Sequence, residues 1–185
     1  MLYTRKGDGG TTKTLHCDQR LSKSSAIAEA LGAVDELDSL LGFVKCQGST
    51  LPKKQGRTFD LAELLLTVQQ NLFIIQAELA GAPDKTITEK KVTALEKIID
   101  GIEKKLPPIK SFFIPGATPN GALFDYARTV ARRAERRVVL AVEEKKVPLG
   151  KFSLAYLNRL SSLLYALARL VNHQSGIKEQ APDYK

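Results

Sequence analysis

The chain has 185 residues, a formal net charge of +8 and a pI of about 9.5. Hydrophobic residues make up 43% and charged residues 26%, and a chain this long buries roughly 70% of the surface its unfolded form exposes, which excludes global disorder. The positive excess points either to an anionic partner (nucleic acid, an anionic membrane or a phosphate-bearing small molecule) or to a generically basic surface.

The two cysteines, Cys17 and Cys46, form no CxxC pair. They make no disulfide framework, and a reducing, cytoplasmic home is the simplest expectation. The first residues lack the apolar h-region of a secretory leader. No run approaches the ~18 continuous apolar residues of a membrane span.

Residues 1–22 are rich in Gly, Thr, Lys and Asp, and Gly7, Gly9 and Gly10 argue against a helix. The segment reads as an N-terminal loop, flexible or ordered by a ligand. A helical pattern begins at Ser24 or Ser25, carries Ala26, Ala30, Ala33, Leu37, Leu40, Leu41 and Val44, and stops at Gly48 and Pro52. A second helix is predicted from Asp60 to Ala80, ended by Gly81 and Pro83. Thr88 opens a third, which runs through Ile102 to Leu106 before Pro107 and Pro108.

Residues 107–121 form a long connection stiffened by Pro107, Pro108, Pro115 and Pro119. Phe112, Phe113 and Ile114 sit inside it, so the loop is expected to fold back onto something. A fourth helix follows from Asn120 to Lys145, with Ala127, Val130, Ala131, Ala134, Val138 and Ala141 as its small-residue stripe. A fifth covers Ser153 to His173, and the polar tail from Ser175 is expected to fray. No segment shows period-two alternation. The predicted fold is an all-α five-helix bundle, a ferritin-like up-and-down core of four helices plus one more. It forms a single domain over 1–185, with 1–22 as the N-terminal loop and 176–185 as a flexible tail.

Three polar stretches are not explained by the core. In the first, Thr4-Arg5-Lys6-Gly7-Asp8-Gly9-Gly10-Thr11-Thr12, glycines let backbone N–H groups approach phosphate oxygens while hydroxyls and cations add donors. The P-loop spacing is absent, and a disordered tail is an equal alternative. In the second, Arg128, Arg132, Glu135 and Arg136 share one helical face beside the apolar stripe. Arginine suits bidentate phosphate binding, and Glu135 is placed to orient its neighbours. Arg133 and Arg137 fit a solvated face better. In the third, Asn158, Ser162, Tyr165 and Arg169 share a face of the last helix, where Asn158 either binds a ligand or satisfies a neighbouring backbone.

Asp35, at the edge of the first helix's apolar face, is either a partner for a cation such as Arg128 or a plain surface acid. The only histidines, His16 and His173, provide no Glu-x-x-His pair, zinc cluster or hydrolytic triad. An enzyme built this way works by positioning a ligand and stabilising negative charge.

Taken together, these stretches resemble the PduO-type ATP:cob(I)alamin (corrinoid) adenosyltransferases. The resemblance is carried by Tyr3 to Thr11, Val34-Asp35-Glu36-Leu37, Phe112-Phe113-Ile114-Pro115-Gly116, Ala127-Arg128, Arg132-Arg133-Ala134-Glu135-Arg136 and Asn158-Arg159-Leu160-Ser161. It implies a homotrimer with active sites between subunits. It implies transfer of the 5′-deoxyadenosyl group of ATP to a reduced corrinoid, with Mg²⁺ accompanying the ATP and triphosphate released.

By the resemblance, Thr4, Arg5, Lys6, Gly7, Asp8, Gly10, Thr11 and Thr12 wrap the triphosphate. Lys23, Arg132, Glu135, Arg136 and Asn158 contact ATP, Asp35 and Arg128 pair across the trimer interface, and Phe112 faces the corrin. A corrinoid reductase or an adenosylcobalamin-dependent enzyme is the protein partner such a reaction admits. Three positions depart from the usual pattern: Ser162 where the family has Asp, Ala117 in place of a second glycine, and Gln76 where glycine is common. The competing readings are a basic module binding RNA or DNA, which lacks aromatics among its arginines, and an ATP-sensing or corrinoid-handing protein without turnover.

Overall fold

The computed structural model describes residues 3–14, 20–48, 59–82, 84–145 and 149–185. His16, Cys17, Pro52, Pro83 and Pro148 lie outside the described residues. The elements run β1 (Thr11–Lys13), β2 (Arg20–Ser22), α1 (Ala26–Gly48), α2 (Leu61–Leu79), α3 (Glu89–Glu103), α4 (Pro119–Lys145) and α5 (Lys151–Gln174). The expected all-α bundle is what forms.

Helix α4 packs against both α1 and α5, α2 lies on α1 and α3 on α5. The apolar stripes explain this order. Leu37, Leu41, Leu65, Leu72, Phe124, Ala131, Tyr156, Leu157, Leu160 and Leu164 are all buried in one continuous core. Truncating one such leucine to alanine costs about 2–5 kcal/mol. The alanines of α4 bring its backbone close to both neighbours. That closeness holds the polar residues between the alanines at fixed positions on the bundle surface.

Polar bonds join α2 to the rest. The buried Asn71 donates to the Tyr156 hydroxyl (3.0 Å) and accepts from Lys91 of α3. Burial pushes the Tyr156 phenol up to about 12, so it stays neutral at any physiological pH. The buried Glu78 carboxylate accepts from Thr86 Oγ1 at 2.9 Å, from the Gly150 N–H at 2.7 Å and from Ser153 Oγ. It ties the end of α2 to the start of α5.

Helix ends follow local chemistry. Asp60 caps α2 by accepting from the Ala62 and Glu63 N–H groups at 2.8 and 3.2 Å. Thr88 holds the N-cap position of α3 without a side-chain capping bond. That helix ends at Glu103, three residues before the expected Leu106, because the chain turns ahead of Pro107. α4 begins at Pro119, one residue before the expected start, since proline is well suited to the first helical position.

Two expectations are corrected. Part of the N-terminal loop is a hairpin: β1 and β2 pair antiparallel, with Thr11 opposite Ser22 and Lys13 opposite Arg20. The polar tail does not simply fray. Gly176, at φ +70°, ends α5 and turns the chain. Glu179 then accepts hydrogen bonds from Arg169 and Asn172, and the Gln180 carbonyl accepts from the Ile114 N–H.

Candidate active site

The N-terminal segment is a compact turn. The Asp8 N–H donates to the Arg5 carbonyl, the Gly10 N–H to Gly7 and the Lys23 N–H to Gly10. Arg5 and Gly10 take positive φ, 58° and 76°. Arg20 fixes the fold of this turn. Its guanidinium donates to the Lys6 carbonyl, to the Thr11 carbonyl (2.8 Å) and to Thr11 Oγ1 (2.8 Å). Lys23 lies over the turn, and a Cβ added to Gly7 would sit 3.2 Å from its Nζ. An ammonium therefore stands directly against the half-buried Gly7 backbone, an arrangement that suits phosphate oxygens. Lys23 and residues 4–12, read separately in the sequence, form one cationic cup.

The arginines of α4 divide into two kinds. Arg133 makes an ion pair with Glu36 of α1 at 2.5 Å, and Arg137 lies 4.0 Å from Glu29. Arg132 and Arg136 are exposed and make no ion pair or hydrogen bond among the described residues. Glu135 does not bridge its arginine neighbours as expected. Its carboxylate accepts from Asn158 Nδ2 at 3.0 Å, and Asn158 Oδ1 accepts from Arg159, which pairs with Glu96. The Asn158 amide is thereby oriented, with Glu135 holding one end and Arg159 the other.

A cleft of about 570 Å³ opens between the 107–118 connection and the facing sides of α4 and α5. Arg128, Arg132 and Asp125 form its α4 wall, and Ser162 and Tyr165 its α5 wall. Phe112 hangs at the mouth, 78% exposed, beside Ile109 and Ile114. The cleft is thus apolar on the loop side and cationic on the helix side. Arg128 donates to Asp125 Oδ1 (3.2 Å) and lies over the Tyr165 ring at 5.8 Å. Burial raises the Asp125 carboxyl above its ordinary value, and the bond from Arg128 opposes that rise. Burial likewise raises the Tyr165 phenol.

The structure brings Phe112, Arg128 and Arg132 to one cleft, Glu135 and Asn158 to one hydrogen bond, and Lys23 to the Gly7 turn. Within the chain no hydrogen bond or ion pair joins the turn to the cleft among the described residues. Asp35 is exposed on α1, and within the chain Arg128 pairs with Asp125 rather than with it. Sequence reasoning missed Arg20 and Asp125. Arg20 carries no motif and acts only through the hairpin register. Asp125 sits three residues before Arg128, a helical ion-pair spacing that was readable.

The profile of the cobalamin adenosyltransferase family matches residues 2–171. The corrinoid adenosyltransferase of Bacillus subtilis is 38% identical over 179 residues, covering 95% of this chain and 89% of that protein. Corrinoid adenosyltransferase PduO of Citrobacter freundii is 38% identical over 180 residues, covering 94% of this chain; the chain spans 50% of that longer protein. A Phe-to-Ala variant of the PduO-type ATP:corrinoid adenosyltransferase of Lactobacillus reuteri, complexed with cobalamin and ATP, superposes with a TM-score of 0.85 at 31% identity, over 98% of this chain and 99% of that one. An Arg-to-Lys variant of the same enzyme complexed with ATP gives a TM-score of 0.84 at 30% identity, over 98% and 100% of the two chains.

Proposed function

The chain belongs to the cobalamin adenosyltransferase family, and on that premise we propose that it transfers the 5′-deoxyadenosyl group of ATP to a cob(I)alamin-type corrinoid, releasing triphosphate. The observation that carries this reading is the pairing of opposites in one cleft. Arg132, a cation without an intrachain partner, faces the same space as Phe112, an aromatic ring held out of the core. One side suits an anion and the other a flat apolar macrocycle.

The chemistry needs no protein base. The reduced cobalt of the corrinoid substrate attacks C5′ of ATP. A cobalt–carbon bond forms, the C5′–oxygen bond breaks, and its electron pair leaves on the triphosphate. What the protein supplies is alignment and compensation of the leaving charge. The Arg5–Thr12 turn with Thr4 and Lys23 holds the triphosphate. Arg132 and Arg136 meet its developing charge, and the Glu135–Asn158 pair orients the nucleoside. Phe112 covers the lower corrin face, excludes water and disfavours an axial donor, which makes the cobalt easier to reduce.

Mg²⁺ is carried with the triphosphate in this reading. Among the described residues no group of three His, Cys, Asp or Glu could hold a metal, and Mg²⁺ commonly binds through phosphates with one or two carboxylates and several waters. The active site is completed between subunits of a homotrimer, where Asp35 of one copy meets Arg128 of the next. Asp35 stands exposed on α1, open to a second copy. No helix of the described residues is long and apolar enough to cross a membrane. A cytoplasmic site of action, with a corrinoid reductase supplying the electron or an adenosylcobalamin-dependent enzyme taking the product, belongs to the same proposal, as does a place in cobalamin biosynthesis.

The test is anaerobic. Chemically reduced cobalamin with ATP and Mg²⁺ is expected to give a light-sensitive alkylcobalt spectrum and one triphosphate per turnover. A spectrum that stays that of the reduced corrinoid, under active reductant, sinks the reading.

A further inference from the structure

In the cleft wall, and running back from it, lies a largely buried ion pair that the reaction itself does not require. Arg169 and Glu179 have side chains only 7% and 14% exposed, with Nε and Oε2 3.1 Å apart. The second carboxylate oxygen accepts from Asn172 Nδ2 at 3.0 Å. Both donors stand on the last turns of α5, while Glu179 comes from the returning tail.

Further contacts tie this cluster and its tail to the 107–118 connection. Arg169 Nη2 donates to the Pro107 carbonyl at 3.3 Å, at the start of the loop. The guanidinium lies 5.0 Å from the centre of the Phe113 ring, in the middle. The Ile114 N–H donates to the Gln180 carbonyl at 2.8 Å. Asn172 Oδ1 accepts from Thr118 Oγ1 at 2.7 Å, at the loop's end, and the same hydroxyl accepts from the Gly121 N–H at 2.9 Å. A Cβ on Gly121 would sit 2.1 Å from Asn172 Oδ1, so the contact exists only because that position is glycine.

The consequence is geometric. Phe113 is drawn inward onto the guanidinium and is half-buried, whereas its neighbour Phe112 is turned out to 78% exposure in the cleft. Anchoring Phe113 and Ile114 fixes where the Phe112 ring can stand. Phe113 and Glu179 are also the wall shared with a second cleft of about 480 Å³ on the far side, so releasing them opens space into which the loop can relax.

We infer that Arg169, Asn172 and Glu179 form a latch between α5, the tail and the loop, and that its role is to position Phe112 for the reaction. These are positioning residues, not catalytic ones. The inference rests on the adenosyltransferase reading above. The latch also makes the tail part of the active site: Glu179 lines the cleft directly, and Gln180 reaches it through the loop.

The experiment uses the full chain and two readouts. Hydrogen exchange of residues 109–116 is measured without substrates, and steady-state kinetics are measured with ATP and reduced cobalamin. Glu179→Gln removes the charge and leaves α5 intact. It is expected to speed exchange in the loop by about tenfold and to lower kcat by about tenfold, with KM for ATP within about twofold. Arg169→Lys is expected to do the same, since lysine cannot make the forked contact. Tyr184→Ala, in the same tail but 83% exposed, keeps wild-type values. Phe112→Ala placed on Glu179→Gln adds less than it does alone, because both act on one ring. Unchanged loop exchange, an unchanged kcat or full additivity overturns the latch. A wild type that turns over nothing, while Glu179→Gln still loosens the loop, overturns the adenosyltransferase reading instead.

Discussion

Two faces of α4 carry the same residue type to different ends. Arg133 and Arg137 look towards α1 and lie within ion-pair distance of its glutamates, Glu36 and Glu29. Arg132 and Arg136 sit one residue earlier, about 100° around the helix, and have no intrachain counter-charge among the described residues. The first pair is compensated when the chain folds. The second pair remains open to an anion from outside. A run that looks uniform as letters is divided by its neighbours into structure and site.

The sharpest way to break this comparison is to truncate one member of each pair. Arg132→Ala is expected to lower kcat/KM for ATP by about a hundredfold, the scale of a lost charge-assisted contact to a leaving group. Arg137→Ala is expected to stay within about twofold in turnover and about 0.5 kcal/mol in stability, as exposed ion pairs do. Equal losses in the two variants would erase the distinction.

A middle-sized effect concerns Arg128, which is compensated inside the chain by Asp125 and is proposed to meet Asp35 of another copy. Asp35→Ala and Arg128→Ala should each reduce turnover, and the double variant should lose less than the sum, by about 1 kcal/mol of coupling. Strict additivity in the kinetic cycle removes the pairing.

The smallest effect is the pH response of Asp125. Its folded value is raised from 3.8, mainly by burial, so the folded chain binds that proton more tightly than the unfolded one. Stability contributed at this site therefore falls as pH rises from 3.8 through the raised folded value and is flat above it. Thermal melts of Asp125→Asn across that window should show a shallower decline than the wild type. Identical slopes would mean that the carboxylate is fully compensated by Arg128.

The helices were legible because α2, α4 and α5 repeat apolar residues at three and four, and their bounds fell within one or two residues of expectation. Helical spacing alone puts Asn158, Ser162, Tyr165 and Arg169 on one face of α5, and Ser162 and Tyr165 of these line the cleft. The hairpin was not, since strands of three residues, Thr11–Lys13 and Arg20–Ser22, are too short to show alternation. Nor was the ordered tail. Glu179 looks like any polar residue after a helix, and only the folded return of the chain at Gly176 brings it to Arg169 and Asn172. The division of the arginines was legible in helical spacing, but the carboxylates of α1 that compensate Arg133 and Arg137 were not, since Arg133 and Glu36 lie 97 positions apart in the sequence.

Gly121 illustrates what such distant wiring means for heredity. It touches neither proposed substrate, yet any side chain there collides with Asn172 and so reaches Glu179, Phe113 and finally Phe112. An allele changing this glycine should fall in the same phenotypic group as alleles of Phe112 itself. A geneticist mapping loss of activity would then find a hotspot at a residue no ligand contacts.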